Sequence, residues 1–182
     1  MSTLETDLER IAALAAARRD EFEVLRYTLE LLEDELPDPA LDALVEAVAA
    51  PIVAAIDCTQ CAHCCRTLDV YLTPADAARL AEGLGLPVEE VIARHIDRDT
   101  AAVDEWGKLN CHPCAFLDGR LCRVYAWRPE SCRTYPAFTP DFRWTLADTL
   151  AGAGSCPIIY HVLDALSRRF NGDLLGQSHV KL

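Results

Sequence analysis

Residues 58–65 read Cys-Thr-Gln-Cys-Ala-His-Cys-Cys, and no other stretch limits so sharply what this chain can fold into. Four of the nine cysteines lie in these eight residues. Two thiols in a C-x2-C turn can close on one ion. Cys64 and Cys65 are adjacent, and neighbouring side chains point apart. The run is therefore expected to feed more than one site, or one polynuclear cluster. Cys111, Cys114, Cys122 and Cys132 form a second group within 22 residues, able to fold back on the first, and Cys156 follows later.

Two chemistries use clustered cysteines: disulfide bonding and metal or redox chemistry. The N-terminus shows acids and no basic-then-apolar export pattern, so the expected location is cytoplasmic, where thiols stay reduced. The odd cysteine count and a chain of 182 residues, long enough for a real core, also favour metal over disulfides. No run approaches the roughly 20 apolar residues of a membrane span. The formal net charge is −12. Residues 1–57 hold fourteen acids and four bases, so most of the negative charge belongs to the N-terminal arm. A strongly acidic chain without a basic stripe is a poor nucleic-acid binder. The expected partner is a metal ion, with no nucleic acid and no membrane.

Leu4, Leu8, Ile11, Ala15, Arg18, Phe22, Leu25, Leu29, Leu32 and Leu36 alternate in steps of four and three. That seam predicts a helix up to Pro37-Asp38-Pro39, which turns the chain. Leu41, Leu44, Val45, Val48, Ile52 and Ile56 mark a second helix, which Pro51 should kink or end. The arm reads as a helical hairpin without a metal ligand set, its seam packing on the cysteine domain or offering a surface for self-association or a protein partner.

Beyond the motif, Leu68–Leu72 suits a short strand. Thr73-Pro74-Ala75-Asp76 predicts a helix start with Thr73 as N-cap. Gly83 and Gly85 end that helix, and Pro87-Val-Glu-Glu starts another. The pair resembles a helix-turn-helix in outline, with too little basic charge for DNA. Residues 98–110 read as a polar connection. Asp118-Gly119 is a hairpin turn that brings Cys114 and Cys122 together. Phe142–Leu146 reads as a strand, and Ile158 to Leu166 as a final amphipathic helix.

The spacing Cys58-x2-Cys61-x2-Cys64 also opens a bacterial iron–sulfur run, but the fourth cysteine and proline of that run are not in place. Spacing alone does not choose zinc over iron.

The cysteine pattern resembles the CxxCxxCC, or YkgJ-like, cysteine cluster family, whose domain is described as chelating zinc or iron. The resemblance rests on Cys58-x2-Cys61-x2-Cys64-Cys65, Pro113-Cys114-Ala-Phe-Leu-Asp-Gly, Cys122-Arg-Val-Tyr, Arg128-Pro129-Glu-Ser-Cys132-Arg133 and Cys156-Pro157. Leu72–Glu90 is similar to the segment after the family's first motif, and Ala62 stands where the family often has glycine. The resemblance implies Cys58, Cys61, Cys64, Cys65, Cys114, Cys122, Cys132 and Cys156 as metal ligands, with Cys111 outside the set. Arg128 and Arg133 match the family's arginines and would offset thiolate charge, unless each pairs with a surface acid. His63 and His112 adjoin cysteines and are candidate ligands, although a histidine so placed is more often a supporting or exposed group. His95, His161 and His179 show no partner in the sequence.

The resulting expectation is a mainly α fold with short β-hairpin elements. It has an N-terminal helical hairpin (1–55), a metal-stapled cysteine-rich domain (56–170) and a tail (171–182). The leading function is zinc or iron binding through clustered thiolates, with an iron–sulfur cluster as a variant. Two other classes stand beside it: a redox or methyl-transfer enzyme, since flagellin lysine N-methylases carry a related domain, and a metal carrier or sensor. No nucleotide loop or Ser/His/Asp grouping marks a catalytic centre.

Overall fold

The computed structural model describes residues 4–99 and 105–176. His179 and the last residues of the expected tail lie outside them. The described residues form two compact units, Met1–Asp57 with Pro136–Leu182, and Cys58–Tyr135.

The first unit is helical. α1 (Leu8–Ala17) starts at Asp7, whose side chain accepts from the Arg10 N–H. α2 (Arg19–Leu31) follows, and α3 (Asp38–Ala55) begins with Pro39 in its first turn. Two expectations are corrected here. The seam is not one helix, because it breaks at Arg18, whose backbone leaves helical geometry. Arg18 is the charged member of the seam, and its guanidinium pairs with Glu21 and Asp164 rather than packing among leucines. Nor does the helix reach Pro37. It stops at Leu31, before Glu33, Asp34 and Glu35, three acids that would crowd the negative end of the helix dipole. Pro51 sits inside α3 four residues before its end, where it removes one ladder hydrogen bond without stopping the helix.

Residues 142–146 are also not a strand. They open α8 (Phe142–Ala151), because Phe142, Leu146 and Thr149 recur at helical spacing and are buried together. The side chain of Asp42 caps this helix, accepting from the N–H groups of Asp141 and Phe142 at 2.8 and 3.0 Å. α9 (Pro157–Gly176) closes the unit. α2 and α3 pack on α8 and α9, so the buried seam residues Ile11, Phe22, Leu25 and Leu29 share a core with Phe142, Leu146, Val162, Leu163 and Leu166. Phe22 meets the Tyr160 ring edge-on at 6.1 Å between centroids. Burying each such side chain contributes on the order of 2 kcal/mol.

The second unit is smaller. A 3-10 turn at Cys58–Gln60 leads to α4 (Cys64–Thr67) and β1 (Tyr71–Leu72). α5 (Pro74–Leu84) begins with the expected Thr73 cap, completed into a capping box by Asp76. It ends at Gly85, whose φ of 65° is the left-handed turn that glycine adopts without penalty. α6 (Val88–His95) follows Pro87 and runs into β2 (Ile96–Asp97). β3 (Gly107–Leu109) lies between β1 and β2, antiparallel to both. β4 (Leu117–Asp118) and β5 (Leu121–Cys122) form the expected hairpin, Leu117 opposite Cys122. A 3-10 turn at Tyr125–Trp127 and α7 (Glu130–Thr134) complete the unit. Its core is Leu72, Leu80, Val91, Ile96, Leu109, Phe116 and Val124, with Cys114 and Cys122 packed against it.

Candidate metal centre

The cysteine run of 58–65 folds as two tight turns. The carbonyl of Cys58 accepts from the N–H groups of both Cys61 and Ala62 at 3.1 Å. Ala62 then takes a φ of 54°, a left-handed conformation in a buried position. Glycine would adopt that conformation at less cost than alanine. α4 follows at once and carries Cys64 and Cys65. Adjacency on a helix sets their Cβ bonds apart, yet their sulfurs lie within 4.0 Å of each other. In a tetrahedral thiolate site with metal–sulfur bonds of about 2.3 Å, neighbouring sulfurs stand about 3.8 Å apart. This pair is therefore spaced to share one ion.

Protein bonds bring the second group to the first. The Cys114 N–H donates to the Cys65 carbonyl at 2.8 Å. At the far end of the β4–β5 hairpin, the Arg66 guanidinium donates to the carbonyl of Gly119 at 2.6 Å. Gly119 has a φ of 61° as the first of the two turn residues between Asp118 and Leu121, a conformation glycine adopts without penalty. Cys132 sits in the first turn of α7, its N–H bonded to the Pro129 carbonyl at 3.0 Å. Asp76 fixes that turn from α5. One carboxylate oxygen accepts from the Thr73 N–H and hydroxyl, and the other from the Glu130 N–H at 2.9 Å. Ser131 adds a bond from its hydroxyl to the Tyr71 carbonyl at 2.9 Å. Two elements that sequence reasoning missed thus build the site: Arg66, and the second bond of Asp76. Asp76 was legible as a first-turn acid, but its partner lies 54 residues on.

The Cys65 sulfur acts on Cys64, Cys114, Cys122 and Cys132, Cys122 acts on Cys114, and both of these act on Cys132. The hydrogen bond from the Cys64 thiol brings Cys65 down to about 6, and the guanidinium groups of Arg128 and Arg66 add to this. The same bond, with burial, holds the proton on Cys64. Burial first, and then the neighbouring sulfurs, push Cys132 up to about 12. Burial also raises Cys114 and Cys122. One sulfur of the group is thus ready as a thiolate near neutral pH, and an incoming cation must displace protons from the others.

The remaining residues singled out in the sequence fall elsewhere. Cys58 is exposed and acts on Cys64, while Cys61 is half-buried in the first turn. Cys111 is half-buried and acts on Cys114. Cys156 belongs to the other unit, directly before α9. Arg128 lies over the Tyr125 ring, 3.6 Å from its centroid, and its charge reaches Cys65, Cys122 and Cys132. Arg133 pairs with Glu130 and so takes the surface-acid role. His112 is exposed and bonds Asp69 at 2.9 Å, and His95 lies against Phe116. His161 bonds the Glu5 carbonyl.

Among the described residues, no three Cys, His, Asp or Glu side chains stand around one point as a finished metal site. The donor chemistry fits a soft or borderline ion: grouped thiols, one paired at near-tetrahedral spacing, with guanidinium charge beside them. Residues 57–156 match the family model "CxxCxxCC: Putative zinc- or iron-chelating domain".

The chain belongs to the CxxCxxCC family.

The match covers more than half of the chain and spans all nine of its cysteines. It supports metal binding in general. No curated protein and no solved structure matches the chain. Among the described residues no helix is long and apolar enough to cross a membrane.

Proposed function

We propose that this CxxCxxCC protein binds zinc or iron through thiolates of its second unit, in a centre drawn from Cys64, Cys65, Cys114, Cys122 and Cys132. Cys58 and Cys61 open the same sequence motif. The observation that carries this reading is the convergence of two sequence-distant groups: Cys64 and Cys65 with sulfurs 4.0 Å apart, and Cys114 bonded through its N–H to the Cys65 backbone. Four thiolates on a divalent ion leave a charge of −2, which Arg128 and Arg66 are placed to offset. A closed thiolate centre supplies cross-links between segments far apart in sequence, so binding free energy becomes folding free energy.

The test is elemental analysis with an absorption spectrum on the full chain purified without oxygen. Zinc or iron in stoichiometric amount, lost on chelation together with a fall in melting temperature, supports the proposal. A broad visible band with iron and sulfide would assign an iron–sulfur cluster to the same thiols. Protein that holds neither metal, and takes up neither on titration, overturns the proposal.

A further inference from the structure

Most of the apolar face of α2 is buried in the first unit, yet a second stripe on the same helix is not. Val24, Tyr27 and Leu31 follow one another by three and four residues and so lie in one row. Their exposures are 47, 55 and 83 %. Leu31 at 83 % is a leucine almost wholly in water at the last position of its helix. The row is bordered by acid. Residues 20–35 hold seven acids and one arginine. That arginine, Arg26, is occupied on its own helix, bonded to Glu23 and Glu30 and lying over the Tyr27 ring at 4.3 Å. Glu33, Asp34 and Glu35 stand exposed just beyond Leu31.

An apolar row whose border carries an excess of acid, with Arg26 offsetting only Glu23 and Glu30, selects its partner by both features. A second copy would bring acids against acids, and an anionic lipid surface would be repelled. We infer that this face of α2 docks an amphipathic helix of a partner protein, its apolar side on Val24, Tyr27 and Leu31 and its flanking lysines or arginines toward the acidic border. Helix-on-helix docking needs anchors at three- and four-residue spacing, which the row supplies. The inference does not rest on the thiols, since none of its residues lies in the second unit.

The probe is a fluorescent synthetic helix of leucine and lysine with its leucines on one face, titrated against the full chain and followed by anisotropy. Saturable binding is expected, weakened by salt because the acidic border contributes. Tyr27→Ser with Leu31→Ser should weaken it about tenfold or more, the scale of losing interface anchors. Glu33→Lys with Asp34→Lys should weaken it without touching the apolar row. Circular dichroism and metal content should stay as in the parent chain. Three results overturn the inference: unchanged affinity in a folded Tyr27→Ser/Leu31→Ser chain, equal binding of a scrambled peptide of the same composition, or a concentration-dependent dimer that Leu31→Ser abolishes.

Discussion

Gly83 and Trp127 pack so closely that a Cβ on Gly83 would stand 2.6 Å from two atoms of the indole. Real Cβ atoms essentially never come that near, so α5 and the turn at 125–127 meet only because residue 83 has no side chain. The contact holds the turn that leads into Arg128. Gly83→Ala should therefore destabilise the chain although alanine is the better helix former. Overpacking costs about 1–3 kcal/mol, while the propensity gain is at most about 1 kcal/mol and smaller near a helix end. A melting temperature several degrees below the parent is expected. An equal or higher value would show that Trp127 swings aside without loss.

Asp76 serves two helices with one carboxylate. It completes the capping box of α5 and caps the Glu130 N–H at the start of α7, while 5 % exposed. Asp76→Ala orphans donors at both places, and the expected loss is about 2–4 kcal/mol in urea denaturation. Asp76→Asn keeps acceptor oxygen and should recover part of it. Because α7 carries Cys132, metal affinity should fall in the same order, alanine below asparagine below the parent. A stable Asp76→Ala chain with parent affinity would show that α7 is held from elsewhere.

Asp38 and Arg143 link α3 to α8 at 2.7 Å, and the arginine side chain is wholly buried. Its guanidinium also donates to the Leu36 carbonyl. The Arg143 hydrogen bond first, and then that from the Trp144 indole N–H, hold the Asp38 carboxyl below its ordinary 3.8. The folded value is depressed, so the stabilisation is complete above 3.8 and fades as pH falls through the folded value. Asp38→Asn should lower the melting temperature most near neutral pH, and the gap to the parent should narrow in acid below 3.8. A gap of constant size from neutral pH into that range would remove the ion pair as its cause.

Much of this was legible in the residues, for identifiable reasons. Thr73, Pro74 and Asp76 announced α5, and Asp118-Gly119 announced its hairpin, because caps and tight turns are decided by neighbours in sequence. The two cysteine groups were legible as partners, but the strap from Arg66 to Gly119 was not, since 53 residues separate them. The N-terminal seam was visible as an apolar row. What it packs against was not, because α9 lies more than a hundred residues further on. The break at Arg18 follows from the same cause: its partner Asp164 is on α9. The stretch 142–146 misled because Phe, Trp and Thr favour strands locally, while the burial of Phe142, Leu146 and Thr149 obeys a helical period.

The proposed centre divides the thiols into groups that chemistry can tell apart. Cys65 acts on Cys64, Cys114, Cys122 and Cys132, all within the family's ligand pattern, whereas Cys111 acts on Cys114 from outside it. Single replacements at Cys65 and Cys132 should lower the metal bound per chain, and Cys111→Ser should leave it unchanged. Bound thiolates resist alkylation, and free accessible thiols do not. Native alkylation of the metal-loaded chain, read by mass spectrometry, should label Cys111 and spare Cys65, Cys114, Cys122 and Cys132. After chelation all of these should gain label, because the metal no longer competes for their sulfur. The rival arrangement is a local Cys111-x2-Cys114 pair built like the first motif. It requires the opposite result at one position: Cys111 protected together with Cys114, and metal lost from Cys111→Ser. Protection of Cys111 with full labelling of Cys65 would transfer the centre from the first motif to the second.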